Sequence, residues 1–365
     1  MNWLTRLRHR YLSQPLLNWM KHQLPPLSPT EQAALASGHV WWDSELFSGR
    51  PDWQRLDSLS INPLSSEEQQ FLQGPVEEVC RQLDDWQINH EIYDLPAPLW
   101  DYLRQQGFFG LIIPQQYGGR GFSARAHSEV IMKMASRSIT AAITVMVPNS
   151  LGPAELLLHY GTQQQKDHYL PRLAAGHEIP CFALTAPEAG SDASAIPDSG
   201  IVCRQTFNQQ PHVLGIRLNW EKRYITLAPV ATLLGLAFHL YDPDGLLGDK
   251  HDIGITLALI PTSHAGVEIG ERHFPLAMPF QNGPTCGRDV FIPLDWVIGG
   301  CEQVGNGWHM LMECLGEGRG ISLPAVATGA AKVAARYTGA YARVRQQFGL
   351  PIAYFEGIEE PLARI

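Results

Sequence analysis

The apolar pattern of this chain changes period twice. Between residues 65 and 178 apolar side chains recur at helical spacing. After Cys181 they arrive in short Val/Ile/Thr/Leu-rich runs, separated by Gly, Pro, Asp and Asn. From about residue 303 the helical spacing returns. Helix block, strand block, helix block is the order of an α+β fold, and 365 residues are too many for one core of typical size. The expected division is a basic N-terminus and irregular lead-in over 1–64, a helical domain over 65–180, a β-domain over 181–302 and an incomplete helical domain over 303–365.

Local signals sharpen this division. Ser65 with Glu68 three residues on predicts a capping box. In "PVEEVCRQLDDWQINHE" (75–91), Val76, Val79, Leu83 and Trp86 predict one helix face. "PAPLWDYLRQQG" carries prolines at its start and Gly107 at its end, the usual start and stop marks. "HVLGIRLNW", "RYITLA", "TLLGLAFHLY", "GITLALIP" and "RDVFIPLDWVIGG" predict strands. The uncharged stretch 224–241 is interrupted by Pro229 and His239 and reads as two buried strands, not a membrane span.

Charge separates the N-terminus from the rest. The net charge is −9, which argues against nucleic-acid binding. Yet Arg6, Arg8, Arg10 and Lys21 precede the first acid, Glu31. Trp3, Leu4, Leu7, Tyr11 and Leu12 lie between them near helical spacing, and Pro15 is expected to interrupt the helix. Such a piece suits an anionic membrane surface; a disordered or core-docked terminus fits it equally. The six cysteines show no CxxC or zinc-ligand spacing and read as free buried thiols in a reducing compartment, with no metal expected.

Chemistry concentrates in "CFALTAPEAGSD" (181–192). By itself "TAPEAGSD" is a turn, with Gly190 free to adopt positive φ and Ser191 and Asp192 able to bond local backbone. It has neither the GxGxxG of a dinucleotide fold nor the GK[ST] of a P-loop, and no nucleophile elbow supports a hydrolase. The order of this loop, then "KRYIT" (222–226), then the strand runs and the returning helices resembles the acyl-CoA dehydrogenase family. "IPQQYGGRGFS" (113–123), "YGTQQQKDHYLPRLAAGH" (160–177) and "RQQFGLPI" (345–352) resemble it independently. The tail "FEGIEEPLARI" and the lead-in "WWDSELFSGRPDW" look most like long bacterial fatty-acyl-CoA dehydrogenases of the FadE type.

The resemblance implies a helical domain, a β-barrel-like domain and the start of a helical bundle. It implies FAD held along Phe182, Leu184, Thr185, Gly190 and Ser191, with the Thr185 hydroxyl on the pyrimidine end of the flavin. Tyr224, Ile225 and Thr226 would form a second wall, Tyr224 standing where many relatives have Trp. Ser191 and Arg319 would face the acyl-CoA. Arg345 and Phe348 would reach the FAD of a neighbouring subunit, which implies a homo-oligomer. Without the resemblance, a plain amphipathic strand explains "KRYIT" and a basic helix end explains Arg345.

The implied reaction turns a saturated fatty acyl-CoA into its trans-2-enoyl-CoA in β-oxidation, with an electron-transfer flavoprotein as acceptor. The weakly acidic α-proton demands a polarised thioester carbonyl and a desolvated carboxylate. Most relatives place that base late in the last domain, so it is expected beyond Ile365, and residues 1–365 are expected not to turn over alone. Some relatives place it one residue before an arginine, a slot filled here by Gly318. Glu317 lies one position further back, about 100° around a helix. The rival readings are an acyl-CoA oxidase and a non-catalytic fragment that binds membrane or partner chains. The expected location is the bacterial cytoplasm, with peripheral attachment to the inner membrane left open.

Overall fold

A computed structural model describes residues 3–23, 27–36, 41–60, 62–150 and 152–365, apart from the side chains at 29, 30, 33, 34 and 317. The chain divides into two units, Met1–His39 and Val40–Ile365. In the first, helices Trp3–Arg8 and Gln14–Gln23 are joined by a π-helical turn, His9–Ser13, and a further helix spans Pro29–Ala36. The expected interruption at Pro15 does not occur. Pro15 directly follows the wider π turn, an irregularity that relieves the clash a proline ring makes with the preceding turn of a regular helix.

The second unit opens with the lead-in, which is more ordered than its composition suggests. Trp42 is buried against Trp53, ring centroids 5.1 Å apart, and its indole N–H donates to the Asp52 carbonyl at 2.8 Å. The Ser65–Glu68 capping box is present, and the Glu68 carboxylate also accepts from Ser123 N at 2.7 Å. That second bond pins the start of helix Ala124–Ala135 to the capping box.

The helix expected over 75–91 breaks in two. Leu83 is extended (ψ 111°), and the Asp84 side chain caps a new helix by accepting from Gln87 N. The break rotates Trp86 into solvent, and Ile88 takes the buried position. Helix Ile139–Ser150 carries no amphipathic signal in the sequence because it is buried on nearly every side. Its Asn149 is fully satisfied: Oδ1 accepts from Leu111 N, and Nδ2 donates to the Phe108 and Val145 carbonyls.

Seven strands form one curled sheet: β1 (Pro180–Ala183), β2 (Ser199–Phe207), β3 (Gln210–Thr226), β4 (Leu233–Tyr241), β5 (Asp252–Pro261), β6 (Val267–Ile269) and β7 (Asn282–Pro293). The order runs β1-β4-β2-β3-β7-β6, with β5 on the other edge of β4. "HVLGIRLNW" and "RYIT" belong to one 17-residue strand, β3, paired antiparallel with β2 and β7. Gln165 joins helix Gln163–Ala174 to the sheet's exit loop. It donates to the Asp295 and Val297 carbonyls and accepts from Gly299 N.

The last block begins as one 38-residue helix, Gly307–Val344, about 57 Å long. Its middle is tied to the helical domain by Ser322, whose hydroxyl lies 2.9 Å from Ser150 Oγ. A two-residue turn at Phe348-Gly349 follows, both residues at positive φ, closing the hairpin Gln346–Gln347 with Leu350–Pro351. None of the six cysteines forms a disulfide, and only Cys80, Cys181 and Cys314 are buried.

Candidate functional site

Strand β1, paired with β4 at the end of the strand order, leads into the 184–198 loop. Phe182 pairs with Gly235, and a Cβ at 235 would come within 2.6 Å of the Phe182 ring, so only glycine fits there. The loop then folds tightly, with reciprocal 3.2 Å bonds between Ala186 and Ala189. Gly190 does not adopt the positive φ that the turn reading allowed. An added Cβ there would meet no protein atom within 4 Å. Nothing in the protein uses the bareness of Gly190, which leaves a free approach beside exposed Ser191.

The "KRYIT" segment is bonded directly to this loop. Arg223 N donates to the Thr185 carbonyl at 3.1 Å, and Lys222 Nζ donates to the Leu184 carbonyl at 2.7 Å. Lys222 is fully buried and ion-paired with equally buried Asp198, which in turn accepts from Glu221 N at 2.8 Å. Burial pulls the Lys222 ammonium below its usual range, and the Asp198 charge opposes that pull. One buried pair thus holds both ends of the 184–198 loop against β3.

Regular alternation after inward Lys222 would turn residue 224 inward. The β3–β7 register instead shifts between Lys222 and Ile225, and Tyr224 sits at φ +60°. That bulge sends the Tyr224 ring outward, 56% exposed, between the Arg223 guanidinium and the His273 ring, each 5.2 Å away, while Ile225 is buried. Left-handed backbone at an aromatic residue costs roughly 1–3 kcal/mol and marks a place where the side chain's direction matters.

Asn282 of β7 donates to the Tyr224 carbonyl at 3.1 Å and to Thr226 Oγ1 at 3.2 Å. Thr226 therefore keeps its own proton to donate, and the Thr185 hydroxyl makes no bond to the described protein. Behind them Gln281 Oε1 and Asn282 Oδ1 are buried without a protein partner. An open approach at Gly190, an outward aromatic ring and two spare hydroxyl donors on bonded segments fit a planar ring system rich in acceptors, such as flavin.

A separate cavity of about 200 Å³ opens between the helical domain and the long helix, lined among others by Ile112, Phe122, His127, Asn149, Glu155 and Ile321. His127 is buried with Nε2 unpartnered, and burial lowers its pKa to about 4. Its imidazole is therefore neutral at pH 7.

The remaining expected residues stand elsewhere. Arg319 is exposed on the long helix and Gly318 is buried there. Glu317 belongs to the same helix, with its side chain outside the described residues. Arg345 ends that helix, and Phe348 is 94% exposed at the hairpin tip, so the fold does not seat it against the loop or "KRYIT". Among the described residues no group of three His, Cys, Asp or Glu could hold a metal. Sequence reading missed Lys222, Asp198, Asn282 and His127. Lys222 had a signal, an inward phase two residues after buried Trp220.

Residues 66–177 match the family model described as acyl-CoA dehydrogenase, N-terminal domain, and residues 305–365 match acyl-CoA dehydrogenase, C-terminal domain. The chain belongs to the acyl-CoA dehydrogenase family. It is 61% identical over 104 residues to Protein HemX of Proteus mirabilis, a match covering 28% of this chain and 61% of that one. It is 30% identical over 298 residues to the 3-(aryl)acrylate reductase of Clostridium sporogenes, covering 81% and 72%. The crystal structure of acyl-CoA dehydrogenase complexed with FAD from Bacillus anthracis superposes with TM-score 0.71 at 24% identity, covering 84% of this chain and 50% of that one.

Proposed function

We propose that the 182–191 loop and "KRYIT" hold FAD and that the protein oxidises saturated fatty acyl-CoA to trans-2-enoyl-CoA in β-oxidation, passing electrons to an electron-transfer flavoprotein. The observation that carries this reading is the pair of bonds from Lys222 and Arg223 to the Leu184 and Thr185 carbonyls, which makes one wall of the family's two flavin motifs. Bound FAD supplies the acceptor for the substrate's β-hydride. Tyr224 offers a stacking face, Thr185 and Thr226 donate to ring acceptors, and Gly190 lets the backbone approach closely. Ser191 and Arg319 face the acyl-CoA in this reading, while Arg345 and Phe348 serve a second subunit's flavin. No residue of this chain is assigned as the base.

The reading is tested by anaerobic titration of the FAD-loaded protein with palmitoyl-CoA, followed at the flavin's visible band. A band that shifts as acyl-CoA binds is expected, with rapid bleaching only where a base lies within residues 1–365; a band indifferent to acyl-CoA overturns the proposal. Where the band bleaches, comparing oxygen with an artificial acceptor as oxidant separates a dehydrogenase from an oxidase.

The hydroxyl donors are tested one at a time. Thr185→Val and Thr226→Val keep side-chain size and each remove one hydrogen bond of about 0.5–1.5 kcal/mol. FAD affinity, read by quenching of flavin fluorescence, is expected to fall roughly three- to tenfold in each, with the melting temperature little changed. Unchanged affinity in both variants removes these roles.

A further inference from the structure

We propose that the N-terminal helical stretch, residues 3–23, is a docking element for an anionic lipid surface. Among the described residues of its own unit nothing covers its apolar side chains: Trp3 is 69% exposed, Leu12 68% and Trp19 61%, with Leu4, Tyr11, Leu16 and Met20 also exposed. No residue of either helix or of the π turn between them is buried.

The backbone irregularity is what unites these side chains. An α-helix turns in 3.6 residues, so apolar residues spaced about four apart, such as Trp3, Leu7 and Tyr11, drift steadily around it. In a straight α-helix Leu16, Trp19 and Met20 would have rotated well away from Trp3 and Leu7. The π turn at His9–Ser13 advances each residue by a smaller angle and cancels most of that drift. The result gathers most apolar residues on one side of the stretch, with Arg6, Arg10 and Lys21 on the other; Arg8 falls among the apolar residues and Leu17 outside them. A π turn that realigns an exposed apolar face points to a planar apolar partner.

Charge identifies that partner. Residues 1–23 hold four of the chain's basic residues and none of its 36 acids, while the whole chain carries −9. Tryptophan and tyrosine at the apolar margin, with arginine and lysine stems reaching past them, match the boundary between acyl chains and anionic headgroups. An anionic bilayer sets an apolar layer directly beneath a negative one, which is the order of chemistry on this stretch.

The test is flotation of the full chain with vesicles of equal phosphatidylcholine and phosphatidylglycerol, and with pure phosphatidylcholine. Preferential flotation with the anionic vesicles is expected. Each basic residue near such a surface is worth roughly fivefold in binding, so Arg6→Gln/Arg8→Gln/Arg10→Gln is expected to weaken it about a hundredfold. Leu12→Glu/Leu16→Glu is expected to abolish it, and unchanged melting temperatures show that both variants keep the folded body. Equal flotation with both vesicle types, no flotation, or flotation unchanged in both variants overturns the proposal. Lipid-free self-association that Leu12→Glu/Leu16→Glu removes, without anionic flotation, assigns the face to a second copy instead.

Discussion

Replacing Lys222 with methionine is expected to cost about 3–5 kcal/mol of folding stability, because it leaves Asp198 charged, buried and unpaired. Urea unfolding of the full chain reads this directly. Removing the partner charge as well, in Lys222→Met/Asp198→Asn, is expected to return a large part of the loss, since no uncompensated charge then remains inside. FAD affinity is expected to behave differently. Neither variant restores the bond from Nζ to the Leu184 carbonyl, so the loop that carries Thr185 keeps only its backbone bond from Arg223 N in both. Flavin binding is therefore expected to stay weakened, by more than tenfold, in the double variant. If affinity recovers together with stability, the pair supports the core and does not position the loop.

His127 is expected to make the protein acid-labile through the cavity it lines. Its folded pKa, about 4, lies below the unfolded value of 6.5, so the unfolded chain binds the extra proton between those limits. Stability from this group is complete above pH 6.5 and is lost as pH falls toward 4. Between pH 7 and pH 4.5 the loss is about 2–3 kcal/mol. His127→Leu lacks this titration, so its stability is expected to fall less steeply with acid than that of the unsubstituted chain. Parallel acid limbs in urea unfolding at pH 7 and 4.5 would show that the ring is not held neutral. The same ring lines the cavity beside Asn149 and Ile321, and charging it would draw water into that space.

Much of the architecture is legible from local patterns. The change of period near Cys181 and its return near residue 303 mark the helix, strand and helix blocks, because amphipathic burial writes its own repeat into a sequence. The Ser65–Glu68 box is equally local, its partners being three residues apart. Where burial is complete the record vanishes: Ile139–Ser150 has no polar face to set a phase. Where polar side chains restart a helix the record misleads: Asp84 captured Gln87 N, and Trp86 left the face its spacing assigned to it.

The two segments proposed to hold flavin show the same division. Their residue types, a glycine-bearing turn and a strand ending in Tyr-Ile-Thr, are readable as sequence, and so are the spare hydroxyls of Thr185 and Thr226. Their union is not. It rests on Lys222 reaching the Leu184 carbonyl across 38 residues and Asp198 across 24, distances over which no spacing rule operates. The direction of Tyr224 likewise depends on a register shift against β7, a strand some 60 residues later, and alternation alone would have turned that ring inward. Neighbours along the chain fix the order of helix, strand and helix blocks and the residue types of the two motifs, but not the break at Leu83 or the phase of Ile139–Ser150. Which side chains meet, and which way they face, is settled by buried charge pairing and sheet register between segments that the chain keeps far apart.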